Sequence, residues 1–79
     1  MNEGVMKKLD TVVLVTEQAE HGLKSGDIGV VVELYDPDGV EIEFVTGSGK
    51  TQALLTLSRS DVRPIGSNEI LTARSINAA

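Results

Sequence analysis

The stretch His21–Leu34, HGLKSGDIGVVVEL, decides the fold of this chain. Its three glycines predict a loop, because each would cost the interior of a helix about 1 kcal/mol. The second half is dominated by valine and isoleucine, and such β-branched residues favour a strand. Gly29 lies inside this run, which predicts a β-bulge or a close backbone approach there. We therefore expect a loop that leads into a long central strand, Asp27–Tyr35.

The chain on either side of the central strand offers further β segments. They are Leu9–Val15, Val40–Val45, Thr51–Leu57 and Val62–Ile65. In the second of them apolar and acidic residues alternate, which predicts a half-buried strand with Val40, Ile42 and Phe44 pointing inward. Pro64 cannot donate a backbone hydrogen bond, so the last segment should be an edge strand or end there.

The connections between these segments are short and carry turn residues. Asp36–Gly39 combines proline and glycine, which is typical of a tight turn, and Thr46–Lys50 is a second turn. Ser58–Asp61 suits a single helical turn. The longest connection is the loop Thr16–Ser25, and we expect Leu23 to anchor it to the core.

Five short strands joined by tight turns predict an all-β, five-stranded SH3-like small barrel with a short 3-10 turn before its last strand. Closure of the barrel would protect the edges of the sheet. We expect residues 9–65 to form this single domain, flanked by a tail at 1–8 and a loosely ordered or briefly helical tail at 66–79. An OB-fold is the alternative, but it normally has a helix where this chain has only a glycine-containing turn.

Composition excludes several classes of protein. The 79 residues contain no cysteine, so neither disulfides nor thiolate metal sites can stabilise the fold. Tyr35 and Phe44 are the only aromatic residues, which leaves the core to aliphatic side chains. No apolar run approaches the roughly 20 residues that span a bilayer, and no signal-peptide pattern is complete. We therefore expect a cytoplasmic protein.

The charge balance constrains the partners. Twelve acidic and seven basic residues give a formal net charge of −5. Non-specific binding of nucleic acid requires clustered Lys and Arg, and so does binding to an anionic membrane surface. The acidic balance therefore makes both unfavourable. It is compatible with simple solubility or with a basic protein partner.

Several segments together carry a resemblance to a known family. They are Leu9–Leu14, Glu20–Gly29, Val31–Glu33, Tyr35, Glu43–Val45, Ala53–Leu57 and Val62–Ile65. Over residues 9–65 the chain resembles an uncharacterised bacterial family catalogued as domain of unknown function 4926. The resemblance implies a stand-alone SH3-like barrel, and some such proteins look like small partners encoded beside toxin-like proteins. It implies no catalytic residue. The Gly26–Gly29 step is also similar to barrels in larger enzymes and in ribosome-associated proteins, which bears on fold rather than on function.

Two turns resemble ligand-binding motifs without completing them. The sequence Gly47–Thr51, GSGKT, ends like a phosphate-binding loop, but that motif requires a glycine where this chain has Phe44. Asp36–Gly39 opens like a calcium-binding loop, yet no glutamate follows at its twelfth position. We interpret both as β-turns and predict neither cofactor nor metal.

The single histidine, His21, lies beside Glu20 in the long loop. One imidazole cannot build a zinc site without further ligands. Paired with Glu20 or Asp27 it could act as a base, but no motif supplies a nucleophile. We therefore predict no catalytic residue and no enzyme.

The candidate binding residues are acidic. Five carboxylates surround the turn between the second and third strands, and Glu20 and His21 lie in the long loop. The predicted partner-binding residues are Glu20, His21, Glu33, Asp36, Asp38, Glu41 and Glu43. They suggest a protein–protein interaction module. Together with the charge balance and the lack of catalytic groupings, the family resemblance implies, more specifically, an immunity- or antitoxin-like partner of a basic protein. A solvated face with nothing bound is the simpler explanation.

Two other functions stay open. One is a nucleic-acid- or ribosome-associated barrel, which would need Lys24, Lys50, Arg59 and Arg63 on one face. The other is an accessory subunit of an enzyme complex. The sequence predicts neither the oligomeric state nor the identity of the partner.

Overall fold

A single antiparallel sheet of five strands organises the part of the chain that the structure, a computed structural model, describes: residues 6–66, 68, 69 and 71. Two three-residue 3-10 helices, Ala19–His21 and Arg59–Asp61, interrupt the connections. The strands are β1 (Thr11–Leu14), β2 (Ile28–Tyr35), β3 (Gly39–Val45), β4 (Thr51–Ser58) and β5 (Val62–Pro64).

The order of strands in the sheet is β4-β3-β2-β1-β5. The first four strands follow one another, and β5 returns to pair with β1. This arrangement confirms the all-β, five-stranded fold and the 3-10 turn before the last strand. The sheet is open, however. β4 and β5 do not pair with each other through their backbones, so the expected closure of the barrel is not formed in that way. These two strands are its edges.

One face of the sheet carries the core, which is aliphatic except for Phe44 among the described residues, in keeping with the composition. Val40, Ile42 and Phe44 are buried, which confirms the inward positions predicted from the alternation in β3. Leu23 is only 2% exposed, so it anchors the long loop as expected. The buried core cluster comprises Met6, Val12, Leu14, Leu23, Val31, Val40, Ile42, Phe44, Ala53 and Val62.

Met6 shows that the core extends beyond the N-terminal limit predicted for the domain. It is 8% exposed and belongs to the core cluster, although the sequence places it in a tail. Behind it the Lys7 backbone N–H donates to Asp10, and the Leu9 backbone N–H donates to the carbonyl of Val31 over 2.7 Å. These bonds hold the segment against β2. At the other end, most of the predicted tail 66–79, including the proposed helix cap at Ser67, lies outside the described residues.

Two side chains of β3 pack closely against Gly29, whereas the sequence predicted a close approach of backbone. A Cβ atom at this position would lie 2.5 Å from Ile42 Cγ2 and 2.8 Å from Phe44 Cε1. Only glycine leaves room for these two core side chains. The β-bulge, the other expectation for this position, lies further along β2, where the register shifts between Val31 and Glu33.

Candidate acidic interface

The outer face of β2 and β3, opposite the core, carries the strand carboxylates of the predicted set. Val31 pairs with Ile42, and both are fully buried. Without a bulge the alternation of β2 would point Glu33 inward. The bulge at Val32 adds one residue, so Glu33 instead pairs with Glu41 on the outer face. We call Glu33, Glu41 and Glu43 the acidic outer face.

Neighbouring side chains orient each of these carboxylates. The Lys8 ammonium lies 3.2 Å from Glu33 Oε1. The Tyr35 hydroxyl donates to Glu41 Oε1 over 2.8 Å, and the Thr51 hydroxyl donates to Glu43 Oε2 over 2.8 Å. The acidic outer face is therefore an arrangement of positioned carboxylates.

Two pKa shifts follow from these contacts. The backbone N–H of Leu34 donates to Glu33 over 3.1 Å, and this bond, together with Lys8, lowers the pKa of the Glu33 carboxyl. The hydrogen bond to Glu41 raises the pKa of the Tyr35 phenol, because losing the proton would break that bond beside a negative charge. The contacts thus favour a charged Glu33 and a protonated Tyr35 at neutral pH.

The two aspartates of the predicted set lie in the turn between β2 and β3. Asp38 accepts from the Ser58 hydroxyl over 3.3 Å, and its carbonyl accepts from the Arg59 backbone N–H over 2.8 Å. The turn is thereby fastened to the end of β4. Asp36 precedes Pro37 through a cis peptide bond, and both aspartates are exposed. This end of the hairpin continues the acidic outer face into solvent.

Glu20 and His21 lie elsewhere. They belong to the first 3-10 helix, where the two side chains approach within 3.5 Å. The His21 carbonyl accepts from the Gln52 side chain over 3.3 Å, at the beginning of β4. The turn that contains Asp36 and Asp38 contacts Ser58, at the other end of β4. Gln52 and Ser58 are six residues apart, which corresponds to roughly 20 Å along a strand. The structure therefore separates Glu20 and His21 from the two turn aspartates. Glu43, which accepts from Thr51, lies at the same end of β4 as Gln52.

The four cations required for a nucleic-acid surface do not gather into one patch. Lys50 precedes β4 and Arg59 follows it, a spacing of roughly 30 Å along an extended strand. Arg63 donates to both carboxylate oxygens of Glu69, over 2.6 and 2.7 Å. That pairing lowers the pKa of Glu69 to about 2 and occupies the guanidinium that a phosphate would need.

The two turns with partial motifs are hairpin connections. Thr46 and Lys50 are joined by a backbone hydrogen bond of 2.9 Å, and Gly49 has a φ of 86°, which glycine adopts readily. A strand, not a helix, follows Lys50, so the phosphate-loop context is missing. Among the described residues no group of three or more His, Asp or Glu side chains could hold a metal ion.

A shallow groove of about 980 Å³ was not predicted from the sequence. It runs between the loop before β2 and the turn after β3, and its lining includes Leu23, Ile28 and Phe44. Gly26 and Gly47 contribute to its walls, and an added Cβ at either would meet nothing within 4 Å. A glycine on each wall is the sequence feature that could have indicated this groove.

No described helix has the length and apolar character that crossing a membrane requires.

Fold and site together define a small all-β domain with an acidic outer face. The family model described as Domain of unknown function (DUF4926) matches residues 8–64, well over half of the chain. The chain therefore belongs to this family, which confirms the resemblance, while the bacterial origin stays a prediction. No curated protein and no solved structure matches it.

Proposed function

We propose that this chain is a non-enzymatic protein–protein interaction module that binds a basic protein through its acidic outer face. The observation that supports this most is the pairing of Glu33 with Glu41 across β2 and β3. Like charges placed opposite each other in a sheet are unfavourable for folding. Lys8 already offsets this repulsion at Glu33. Among the described residues no lysine or arginine pairs with Glu41 or Glu43, so a cation from a partner would supply the missing compensation at these two carboxylates.

The orientation of the carboxylates supports the same proposal. Each glutamate of this face has one carboxylate oxygen in contact with a neighbouring side chain, that of Lys8, Tyr35 or Thr51. An ionised carboxylate can accept about four hydrogen bonds, so these contacts leave capacity for further donors. Charge-assisted bonds to an arginine side chain are among the strongest available to such a face. Side chains already positioned lose less conformational entropy when a partner binds.

More specifically, we propose an immunity- or antitoxin-like role, in which the acidic outer face covers a basic surface of a toxin-like protein. This narrower proposal rests on the net charge of −5 and on the family resemblance. Opposite charges on the two proteins would speed their encounter and make association depend strongly on ionic strength.

The test is calorimetric titration of the full chain with the product of the neighbouring gene, at low and at high salt. We expect a complex that weakens as salt rises. The variant Glu41→Gln/Glu43→Gln should bind at least about tenfold more weakly, a loss of about 1.4 kcal/mol. Both substitutions retain side chains that can accept the hydrogen bonds of Tyr35 and Thr51.

The matched control is Glu17→Gln/Glu20→Gln, which removes the same charge from the long loop. It should bind nearly as tightly as the original chain. Equal losses in the two double variants would show either an effect of net charge alone or an interface that includes Glu20, and both results would contradict an interface confined to the acidic outer face. No complex at any salt concentration would count against the immunity-like role, and capture of an enzyme by the chain would favour an accessory subunit.

A further inference from the structure

The two edges of the sheet are protected to very different degrees. Edge strands tend to pair with other chains unless they are short, charged or interrupted by proline. At one edge β5 has three residues, ends at Pro64 and carries Arg63, whose guanidinium is held by Glu69. All three protective features are present there, so this edge is poorly suited to further pairing.

The other edge, β4, has none of these features. It is eight residues long, TQALLTLS, without a charged residue or a proline. Leu54 is 53% exposed on the outer face. Leu55 and Leu57 are only partly buried, although they pack against the core cluster. This edge therefore offers backbone hydrogen-bonding groups together with apolar side chains on both faces.

We propose that the edge of β4 that no described strand covers pairs antiparallel with β4 of a second copy of this chain, so that the two sheets become one of ten strands. A two-fold axis at Leu55 would place Ala53 of one copy opposite Leu57 of the other on the core side. On the outer face Leu54 of each copy would lie opposite Thr56 of the other. Each half-exposed leucine thereby gains an uncharged neighbour.

A second copy fits this edge better than an unrelated strand for reasons of charge and symmetry. Each copy carries a net charge of −5, but β4 contains no charged residue. A two-fold interface brings the same surface from both copies together, so it must be self-complementary. A neutral strand meets that requirement because no like charges are brought opposite each other.

The acidic outer faces of the two copies would tolerate this arrangement. Glu43 pairs with Leu54, and Glu41 pairs with Thr56. Glu43 of one copy and Glu41 of the other would therefore lie three strand spacings apart, about 14 Å. That separation exceeds the screening length of about 8 Å at physiological ionic strength. Both acidic faces would stay accessible, so this pairing is independent of the proposed partner binding.

The test is sedimentation equilibrium of the full chain from micromolar to millimolar concentration. We expect the mass to rise from 8.4 kDa towards twice that value. Leu54→Lys should weaken self-association at least about tenfold. Leu9→Lys is the matched control, since it makes the same change at a leucine that is 77% exposed away from β4, and it should associate like the original chain.

Three results would overturn the proposal: a mass of 8.4 kDa at every concentration, growth beyond the dimer, or equal effects of the two lysine variants. Circular dichroism establishes that each variant is folded. If Leu54→Lys does not fold, Thr56→Lys, at another exposed outer position of β4, takes its place with the same expected loss. Association of a folded Thr56→Lys variant equal to that of the original chain would likewise overturn the proposal.

Discussion

Glu33 and Glu41 lie opposite each other on the outer face of the sheet because the β-bulge at Val32 turns Glu33 away from the core. The same bulge keeps Leu34 on the inner side, opposite Val40. One additional residue in β2 therefore serves both the packing of the core and the concentration of negative charge outside it.

The ionisation of Tyr35 reports directly on the acidic outer face. Its pKa should lie above the usual value of about 10, because Glu41 accepts a hydrogen bond from the phenol. The chain has one tyrosine and no tryptophan, so ultraviolet absorbance follows this group alone. Glu41→Gln should lower the pKa, and Glu43→Gln should change it little. A titration at the usual value in the original chain would show that the contact is not formed in solution.

The same shift makes a small contribution to stability that depends on pH. Since the pKa of Tyr35 is raised in the folded state, its stabilising contribution is present below the ordinary tyrosine pKa and is lost as pH rises through the folded value. The urea midpoint of Tyr35→Phe should therefore fall less steeply with alkaline pH than that of the original chain.

The ion pair between Arg63 and Glu69 predicts an effect at acid pH. The pKa of Glu69 is lowered to about 2 by the guanidinium and by the backbone N–H of Gly66. Its stabilising contribution is therefore present above the ordinary glutamate pKa and is lost as pH falls from there towards 2. Carbon-detected NMR titration measures the shift, and Glu69→Gln should remove this part of the acid dependence of urea unfolding.

Two control experiments test the contribution of this ion pair: added salt and a matched variant in the long loop. The side chains of Arg63 and Glu69 are 46% and 36% exposed, so added salt should weaken the contribution. Glu17→Gln removes a glutamate from the long loop and should leave the acid dependence nearly unchanged. A Glu69 carboxyl that titrates at the ordinary glutamate value would contradict the pairing.

Gly29 should be intolerant of any side chain. In Gly29→Ala the new methyl group would overlap Ile42 and Phe44, and overpacking of this kind typically costs about 1–3 kcal/mol. Urea unfolding measures the loss. Gly47→Ala is the control, because an added Cβ there meets nothing within 4 Å, and it should be neutral or slightly stabilising. Equal stability of the two variants would show that β3 does not approach Gly29 closely.

Leu23 should contribute strongly to stability although it lies in a loop. It is 2% exposed within the core cluster, so Leu23→Ala should lower the free energy of unfolding by about 2–5 kcal/mol. Leu9→Ala removes the same atoms from a side chain that is 77% exposed and should have little effect. Comparable losses in thermal unfolding would mean that the loop is not anchored as described.

Much of this fold follows from local sequence patterns. The alternation over Val40–Val45 determines which face of β3 is buried. Turns form at the two segments whose residues favour them, Asp36–Gly39 and Thr46–Lys50. Gly29 marked a tightly packed position, although its close neighbours are side chains and not backbone. In each case the information lies within a few residues, because strand periodicity and turn geometry are local properties.

Other features depend on which segments meet in three dimensions. The bulge at Val32 arises from pairing with β3, and nothing within β2 marks it. Met6 looks like part of a polar tail until it packs against the core. The sequence groups Glu20 and His21 with Asp36 and Asp38 in one candidate set, yet the path of the long loop carries the first pair to the opposite end of β4 from the second. A few consecutive residues determine neither the register of two paired strands nor the path of a long loop.

The most direct test of the central claim is an NMR footprint, in which amide shifts of the labelled chain are followed while the unlabelled product of the neighbouring gene is added. The account predicts that the largest changes occur at Glu33, Tyr35, Glu41 and Glu43, and that they diminish at high salt. Changes confined to the groove beside Ile28 and Phe44, or to the first 3-10 helix, would contradict an interface on the acidic outer face.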